Sequence, residues 1–228
     1  MFFGGLKMNR REYFAQLLKK KPYKGDVNSI KFIGVETYYY DAPSASNLCA
    51  KPADTIDGDV LIAIVYTANN LLATPPSGTW IQINGYDYTS FRVRTYWKIA
   101  TSEPPYYNFT FEVAIKNRVT ISTFRNVDTS NVILGYATYG RANGNAQISG
   151  SSPLRNAMMF FFAQQNSSNS VSWIRPAGMN KVFDANDIAS CTVAIKLLKN
   201  GNGLGALSIP SNGTDANICG IITLKPKY

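Results

Sequence analysis

A period-two pattern runs through Phe91-Arg92-Val93-Arg94-Thr95-Tyr96-Trp97-Lys98-Ile99, in which the odd positions are mainly apolar and the even positions mainly polar. Successive side chains of a β-strand point to opposite faces, so the pattern predicts a half-buried strand. The stretch Met158-Met159-Phe160-Phe161-Phe162-Ala163 is instead continuously apolar. It predicts a central strand that is covered on both faces, or a strand that presents aromatic rings to a partner.

Short apolar runs separated by Pro, Gly, Asn and Asp continue in both directions from these stretches, which is typical of strands and turns. The predicted strands are residues 29–40, 59–67, 79–84, 90–100, 107–114, 118–125, 132–139, 146–149, 157–165, 170–174, 189–198, 205–209 and 217–225. Short strands at this spacing favour two packed antiparallel sheets. We therefore predict an all-β fold, an antiparallel β-sandwich of jelly-roll type, with residues 29–228 as one domain.

Helical signals occur only near the start of the chain. Asn9 followed by Glu12 resembles a capping box, apolar residues then recur at helical spacing, and Pro22 ends the pattern. Residues 1–28 are thus predicted to form a basic helical arm and linker. Because so short a helix is marginal in water, its apolar stripe should dock on its own β-domain or on a partner subunit, and we favour the partner. The predicted docking residues are Arg10, Arg11, Tyr13, Phe14, Leu17 and Leu18.

The basic charge of the chain is concentrated in this arm. The whole chain has a net charge of +9, and residues 7–24 contain seven Lys and Arg against one Glu. Such a segment suits nucleic acid, an acidic protein surface or anionic lipid, and it is equally compatible with a solvated helix face. Of these partners we expect a protein, and not nucleic acid. Only 16% of all residues are charged, which suits packing against neighbours in an assembly.

The inventory of reactive side chains argues against several classes of enzyme. The chain has no His, so neither a Ser-His-Asp nor a Cys-His arrangement can form. Cys49, Cys191 and Cys219 are far apart, which excludes the common structural zinc sites and predicts buried, inert thiols. We predict a protein that is not an enzyme, with no cofactor and no bound metal.

Carboxylates leave two alternatives open. Asp57 and Asp59, and likewise Asp184 and Asp187, lie close together in turn-like sequence, where turn formation is their simplest role. The same groups could instead serve a carboxylate-only hydrolase or contribute oxygen ligands to Ca²⁺.

No run of about 18 apolar residues predicts a membrane span, and the first six residues do not resemble a secretory signal.

Tyrosines form several adjacent or alternating groups. At least one ring in each group must point outward from an edge strand or loop, where it could stack on a sugar or pack against another subunit. The candidate contact residues are Tyr38, Tyr40, Tyr86, Tyr88 and Tyr106.

The segment from Pro52 to Asp128 resembles a recurrent domain of tailed-bacteriophage virion proteins. The matching motifs are Asp57-Gly58-Asp59-Val60-Leu61-Ile62-Ala63, Pro75-Pro76-Ser77-Gly78-Thr79-Trp80, Trp97-Lys98-Ile99-Ala100-Thr101-Ser102-Glu103-Pro104, Tyr107-Asn108-Phe109-Thr110-Phe111, and Phe124-Arg125-Asn126-Val127-Asp128. The closing Ile221-Ile222-Thr223-Leu224-Lys225-Pro226 is similar to the last strand of that family. The basic arm is not part of that domain.

This resemblance implies a non-enzymatic structural component of a phage particle, in the capsid decoration, head-tail neck, tail or fibre. Its partners would be capsid, portal or tail subunits, and many copies would act together in a symmetric assembly. The protein would be synthesised in the bacterial host cytoplasm and located in the virion. The alternative is a carbohydrate-binding module for host adhesion, which would bind surface glycans through exposed Tyr and Asn loops.

Overall fold

The computed structural model describes residues 29–77, 79–141, 146–148, 156–165, 173–174, 177–185, 190–199, 207–209 and 216–227. The predicted helical arm, with its six docking residues, lies outside this part of the chain. Within it, thirteen strands and no helix are present, so no described helix could cross a membrane. The strands are β1 (Lys31–Ala50), β2 (Val60–Ala68), β3 (Ala73–Thr74), β4 (Ile81–Asp87), β5 (Phe91–Ile99), β6 (Tyr106–Arg125), β7 (Ile133–Arg141), β8 (Ala146–Ile148), β9 (Ala157–Gln165), β10 (Asn180–Ala185), β11 (Cys191–Leu198), β12 (Leu207–Ile209) and β13 (Asn217–Leu224).

Two antiparallel sheets make up most of the fold. The first has the order β1-β6-β2-β5-β4, with β3 also paired to β6, and the second has the order β10-β11-β9-β13-β7. Strands β8 and β12 form a separate two-stranded sheet. The prediction of an all-β protein built on two antiparallel sheets is confirmed. The first sheet uses residues 31–125 and the second 133–224, so successive strands do not alternate between the sheets, and jelly-roll connectivity is not confirmed.

The main core lies between the two sheets. It is formed by alternate residues of the central strands, with Ile62 and Ile64 of β2 facing Phe160 and Phe162 of β9. This apolar surface, buried from both sheets at once, is the principal stabilising contribution to the fold.

Both central strands are also covered on their outer faces, which is unusual for antiparallel sheets. In β9, Met159 and Phe161 point away from the main core into a second cluster that includes Trp173 and Met179. In β2, Leu61 and Val65 point into a third cluster beneath part of β6. All nine residues of β9 are buried, so the predicted central strand covered on both faces is confirmed.

The edges of the sheets meet on one side of the sandwich. The Asn84 amide of β4 donates a hydrogen bond to the Thr138 hydroxyl of β7 at 3.1 Å. Two residues further along both strands, the ring of Tyr86 occupies the space where Gly140 lacks a side chain. This contact covers part of each edge strand and limits pairing with other chains.

Several predicted boundaries were wrong. Residues 29–40 extend into a strand that ends at Ala50, and residues 107–114 and 118–125 belong to the single strand β6. Strand β10 was not predicted at all, because residues 180–185 carry Lys181 and Asp184 and resemble a turn. A strand was also predicted at residues 170–174. Of these the structure describes Trp173 and Ile174, and Trp173 forms only an isolated β-bridge. The three cysteines are buried and form no disulfide, as predicted.

Candidate functional site: an aromatic surface on the β1–β6 ribbon

The two-stranded ribbon of β1 and β6 folds back over the first sheet. The strands pair along their length, with irregular register between residues 40 and 46. Beyond this point the Cys49 thiol approaches the carbonyl oxygens of Glu36, at 3.8 Å, and Val119, at 3.6 Å. Residues 46–50 therefore lie over an earlier part of their own strand. We refer to residues 46–50, residues 106–111 and β3 together as the outer layer.

The inner face of the outer layer is apolar and closes the third cluster. Tyr107, Phe109 and Phe111 alternate along β6 and are buried against Leu61 and Val65 of β2. The alternation explains why the layer stays in place, because turning it over would expose three aromatic rings.

Two buried asparagines hold the fold of the ribbon. The Asn47 side-chain amide donates to the Asn117 side-chain oxygen at 2.7 Å and to the Tyr38 carbonyl at 3.0 Å. The Asn117 amide donates in turn to the carbonyls of Ile115, at 2.9 Å, and Ser44, at 3.3 Å. These bonds supply side-chain donors to backbone carbonyls on both strands at and beside the irregular pairing.

A charged and aromatic cluster braces the start of β6. Glu103 accepts hydrogen bonds from the Lys98 ammonium at 2.9 Å, the Tyr107 hydroxyl at 2.7 Å and the Thr101 amide at 2.9 Å. The Lys98 nitrogen also lies 5.8 Å from the centre of the Trp80 ring. Burial favours a raised pKa for Glu103, but these hydrogen bonds outweigh it and lower the pKa. Burial and the bond to Glu103 raise the pKa of Tyr107. The carboxylate is therefore ionised and has three donors, which indicates a structural role.

Tyr38 and Tyr40 form a ring pair on the edge strand of the first sheet. Their ring centres are 4.8 Å apart and the planes are inclined by 51°. Tyr38 is paired with Val119 of β6, so it lies on the same side of the sheet as the outer layer. Tyr38 is 48% exposed and Tyr40 is half-buried. The intervening Tyr39 points the other way, where its ring packs on the buried Arg118 guanidinium.

The outer face of the outer layer presents further apolar side chains. Leu48 is 49% exposed and Tyr106 is 53% exposed. They are diagonal neighbours across the ribbon, since Leu48 pairs with Asn108 and Ala50 pairs with Tyr106. Tyr38 and Tyr40 lie on the same side of the first sheet, and we call these four residues the aromatic surface. A ribbon held by buried hydrogen bonds presents these rings in fixed positions, and such rings suit contact with another macromolecule.

Two of the five candidate tyrosines lie in another part of the fold. Tyr86 and Tyr88 are half-buried and pack against the main core. Tyr86 covers Gly140 at the meeting of β4 and β7, and Tyr88 lies 5.7 Å from the Phe91 ring. Packing between the sheets accounts for these two tyrosines, which lie apart from the aromatic surface.

The acidic residues of the resemblance motifs hold the fold. Arg125 donates to both carboxylate oxygens of the buried Asp59 at 2.8 Å, and it donates to the Asp54 carbonyl at 2.8 Å. The Asp57 carboxylate accepts a bond from the Ser102 amide at 2.7 Å. In the closing motif, Lys225 forms an ion pair with Asp128 at 2.8 Å and lowers its pKa. These motifs thus stabilise one corner of the molecule.

The remaining acidic pair is only partly described. Asp184 lies in β10, not in a turn, and accepts a bond from Lys181 at 2.7 Å. Burial raises the pKa of Asp184 in spite of this bond. Asp187 lies outside the described residues. In the part of the chain that is described, no three His, Cys, Asp or Glu side chains come together as a metal site would require.

Other exposed apolar side chains were not predicted. Leu48 was missed because strand β1 was expected to end ten residues before Ala50. Tyr136 and Tyr139 of β7 are also about half exposed. Their position in an edge strand rich in Gly and Ala was the available signal, since small neighbours cannot cover a large ring.

Comparison of the chain with models of protein families, with curated proteins and with solved structures finds no match.

Proposed function

We propose that this chain is a non-enzymatic structural component of a tailed-bacteriophage particle, which contacts neighbouring subunits through its basic arm and its aromatic surface. The association with a phage particle rests on the resemblance of the motifs between Pro52 and Asp128. The proposal does not depend on jelly-roll connectivity, because any sandwich with a covered core presents outer faces of this kind.

The observation that carries the proposal is the aromatic surface. Tyr38, Leu48 and Tyr106 are each about half exposed on a ribbon that buried hydrogen bonds hold in shape. Exposed apolar side chains on a rigid element favour protein–protein contact, since little conformational entropy is lost on binding. The motif carboxylates support a structural role as well, because each of them already has partners within the fold.

The test is incorporation into particles of a phage that encodes this chain. Purified particles are probed for the tagged protein, for a variant lacking residues 1–24, and for the double variant Tyr38→Ser with Tyr106→Ser. We expect the wild-type protein in the particles, loss of the truncated protein, and at least about a tenfold loss of the double variant. The control is Tyr136→Ser, which changes an equally exposed tyrosine of the second sheet. Absence of the wild-type protein from complete particles contradicts the proposal.

The second candidate is a carbohydrate-binding module, and the paired rings of Tyr38 and Tyr40 favour it. Aromatic rings on a rigid strand can stack on sugar rings. A glycan array of bacterial surface polysaccharides tests this function directly. Binding that is lost in Tyr38→Ser and retained in Tyr136→Ser supports it, and silence across the array eliminates it.

A further inference from the structure

The balance of acidic and basic residues differs between the two sides of the molecule. Residues 31–59 and 101–116, which include the outer layer apart from β3, contain seven Asp and Glu against three Lys. Arg125 and Lys98 from neighbouring segments neutralise two of these acids, Asp59 and Glu103. Among these acids Asp54, Asp57 and Glu112 are exposed and form no ion pair with a described residue. In the described part of the chain after residue 132, Asp184 is the one acid, against Lys181, Lys196, Lys199, Lys225 and Lys227. The outer layer is therefore the more acidic side.

The arm complements this side in both charge and polarity. Residues 7–24 have a net charge of +6 and carry the apolar residues Tyr13, Phe14, Leu17 and Leu18. The outer layer offers exposed Leu48 and Tyr106, and Glu112 lies on the same outward face of β6 as Tyr106. The second sheet also has exposed tyrosines, but its lysines would repel the arm.

The start of the described chain lies within reach of the outer layer. A Cβ atom added to Gly34 would lie 3.6 Å from the Cβ of Pro52, which is two residues beyond Ala50 at the end of the outer layer. Gly34 is five residues beyond Ser29, about 17 Å along a strand. From Leu18 to Ser29 there are eleven residues, which can span roughly 36–40 Å. The arm can therefore reach the outer layer of its own chain.

We propose that, in the isolated protein, residues 7–24 dock on the outer layer of the same chain, with their apolar residues on Leu48 and Tyr106 and their basic residues facing Asp54, Asp57 and Glu112. A segment tethered at this distance has a high effective concentration, which favours its own chain over a second copy. The proposal goes beyond the proposed function and needs no particle. In an assembly, the arm would have to leave the outer layer of its own chain before it could contact a neighbouring subunit.

The first experiment measures trypsin cleavage of the full chain within residues 19–24, under conditions that leave the β-domain intact. Docking protects these lysines from trypsin, because the protease can cleave the arm only after the arm has detached from the outer layer. We expect Tyr106→Ser to speed cleavage about tenfold, the effect of removing one apolar contact. Tyr136→Ser is the matched control and should cleave at the wild-type rate. Equal rates for all three proteins overturn the proposal.

The second experiment identifies the contact with a carbodiimide, which joins lysines to carboxylates that touch them. We expect cross-links between residues 19–24 and Asp54, Asp57 or Glu112 in the monomeric fraction, and fewer of them in Glu112→Gln. Cross-links confined to a dimeric fraction, or links only to other acids, overturn docking on the same chain. Neither result bears on the presence of the protein in phage particles, so the two proposals can fail separately.

Discussion

The Asp59–Arg125 ion pair lies at a corner where three segments of the chain meet. The Asp59 side chain is 2% exposed, and Arg125 binds both of its oxygens. The Ile56 amide also donates to this carboxylate at 3.0 Å. A buried carboxylate is stable only when its oxygens have such partners, so each member of this group depends on the others.

Replacement of this carboxylate should be costly. We expect Asp59→Asn to lower the free energy of unfolding by about 3 kcal/mol, because it leaves the Arg125 charge without its partner in a mostly buried site. Urea denaturation measures the loss. The control is Asp41→Asn, which removes the exposed ion pair with Lys116 and should cost less than about 1 kcal/mol. Equal losses in the two variants would show that burial of Asp59 has no energetic effect.

Gly220 of β13 shows how closely the main core is packed. A Cβ atom at this position would lie 2.3 Å from the Phe162 ring. We expect Gly220→Ala to lower the free energy of unfolding by about 2 kcal/mol, because the ring must move within a filled core. Gly135→Ala is the matched control, since nothing lies within 4 Å of its added Cβ. It should change stability by less than about 0.5 kcal/mol. Thermal unfolding of both variants checks the difference.

At the scale of elements, the folded-back ribbon depends on polar groups as much as on apolar ones. Its buried asparagines bind the irregular backbone, and Glu103 ties the loop before β6 to Lys98 of β5. An antiparallel ribbon of two twenty-residue strands would otherwise run past the sheet. The bend returns it over the third cluster, where its aromatic residues become buried.

The brace at Glu103 should make stability depend on pH. Its pKa is lowered from 4.5 in the folded protein, so its contribution is present above this pH and is lost as pH falls through the folded value. At pH 7 we expect Glu103→Gln to cost about 2 kcal/mol, and the difference from wild type should shrink below pH 4.5. Urea unfolding between pH 7 and pH 3 measures it.

Other carboxylates with lowered pKa values, such as Asp87 and Asp128, are present in both proteins, so their effects cancel in this difference. Glu112→Gln changes an exposed residue and serves as the control, with little effect at pH 7. A difference between wild type and Glu103→Gln that stays constant with pH would contradict ionic bracing by Glu103.

At the scale of the molecule, the two sheets share one core that begins at Ile30. Deletion of residues 1–28 should therefore leave a β-protein that unfolds cooperatively. We expect the free energy of unfolding to fall by less than about 2 kcal/mol, a small part of the roughly 5–15 kcal/mol of a typical domain. Circular dichroism and thermal unfolding of the truncated chain measure this. A truncated chain without a cooperative transition would show that the arm belongs to the core.

Local patterns were sufficient to predict the strands that are buried. The alternation in residues 91–99 placed Phe91 and Val93 in the main core, and the apolar run of β9 indicated burial on both faces. Both inferences succeed because burial selects residue types position by position. The turn at Asp57 and Gly58 was also predicted from the sequence. Gly58 has a positive φ of 86° there, a conformation that glycine adopts without steric strain.

The aromatic surface could be predicted only in part from such patterns. Adjacent tyrosines guarantee that one ring points outward, which identified Tyr38 and Tyr106. They do not say which edges meet, and Tyr86 is half-buried because β7 approaches β4. Likewise, neither Asn47 nor Asn117 indicates a bend on its own, because their hydrogen bond joins residues seventy positions apart. Periodicity reports the burial of each strand, whereas the bend, the meeting of edges and the exposed surface depend on contacts between distant residues, which only the folded chain brings together.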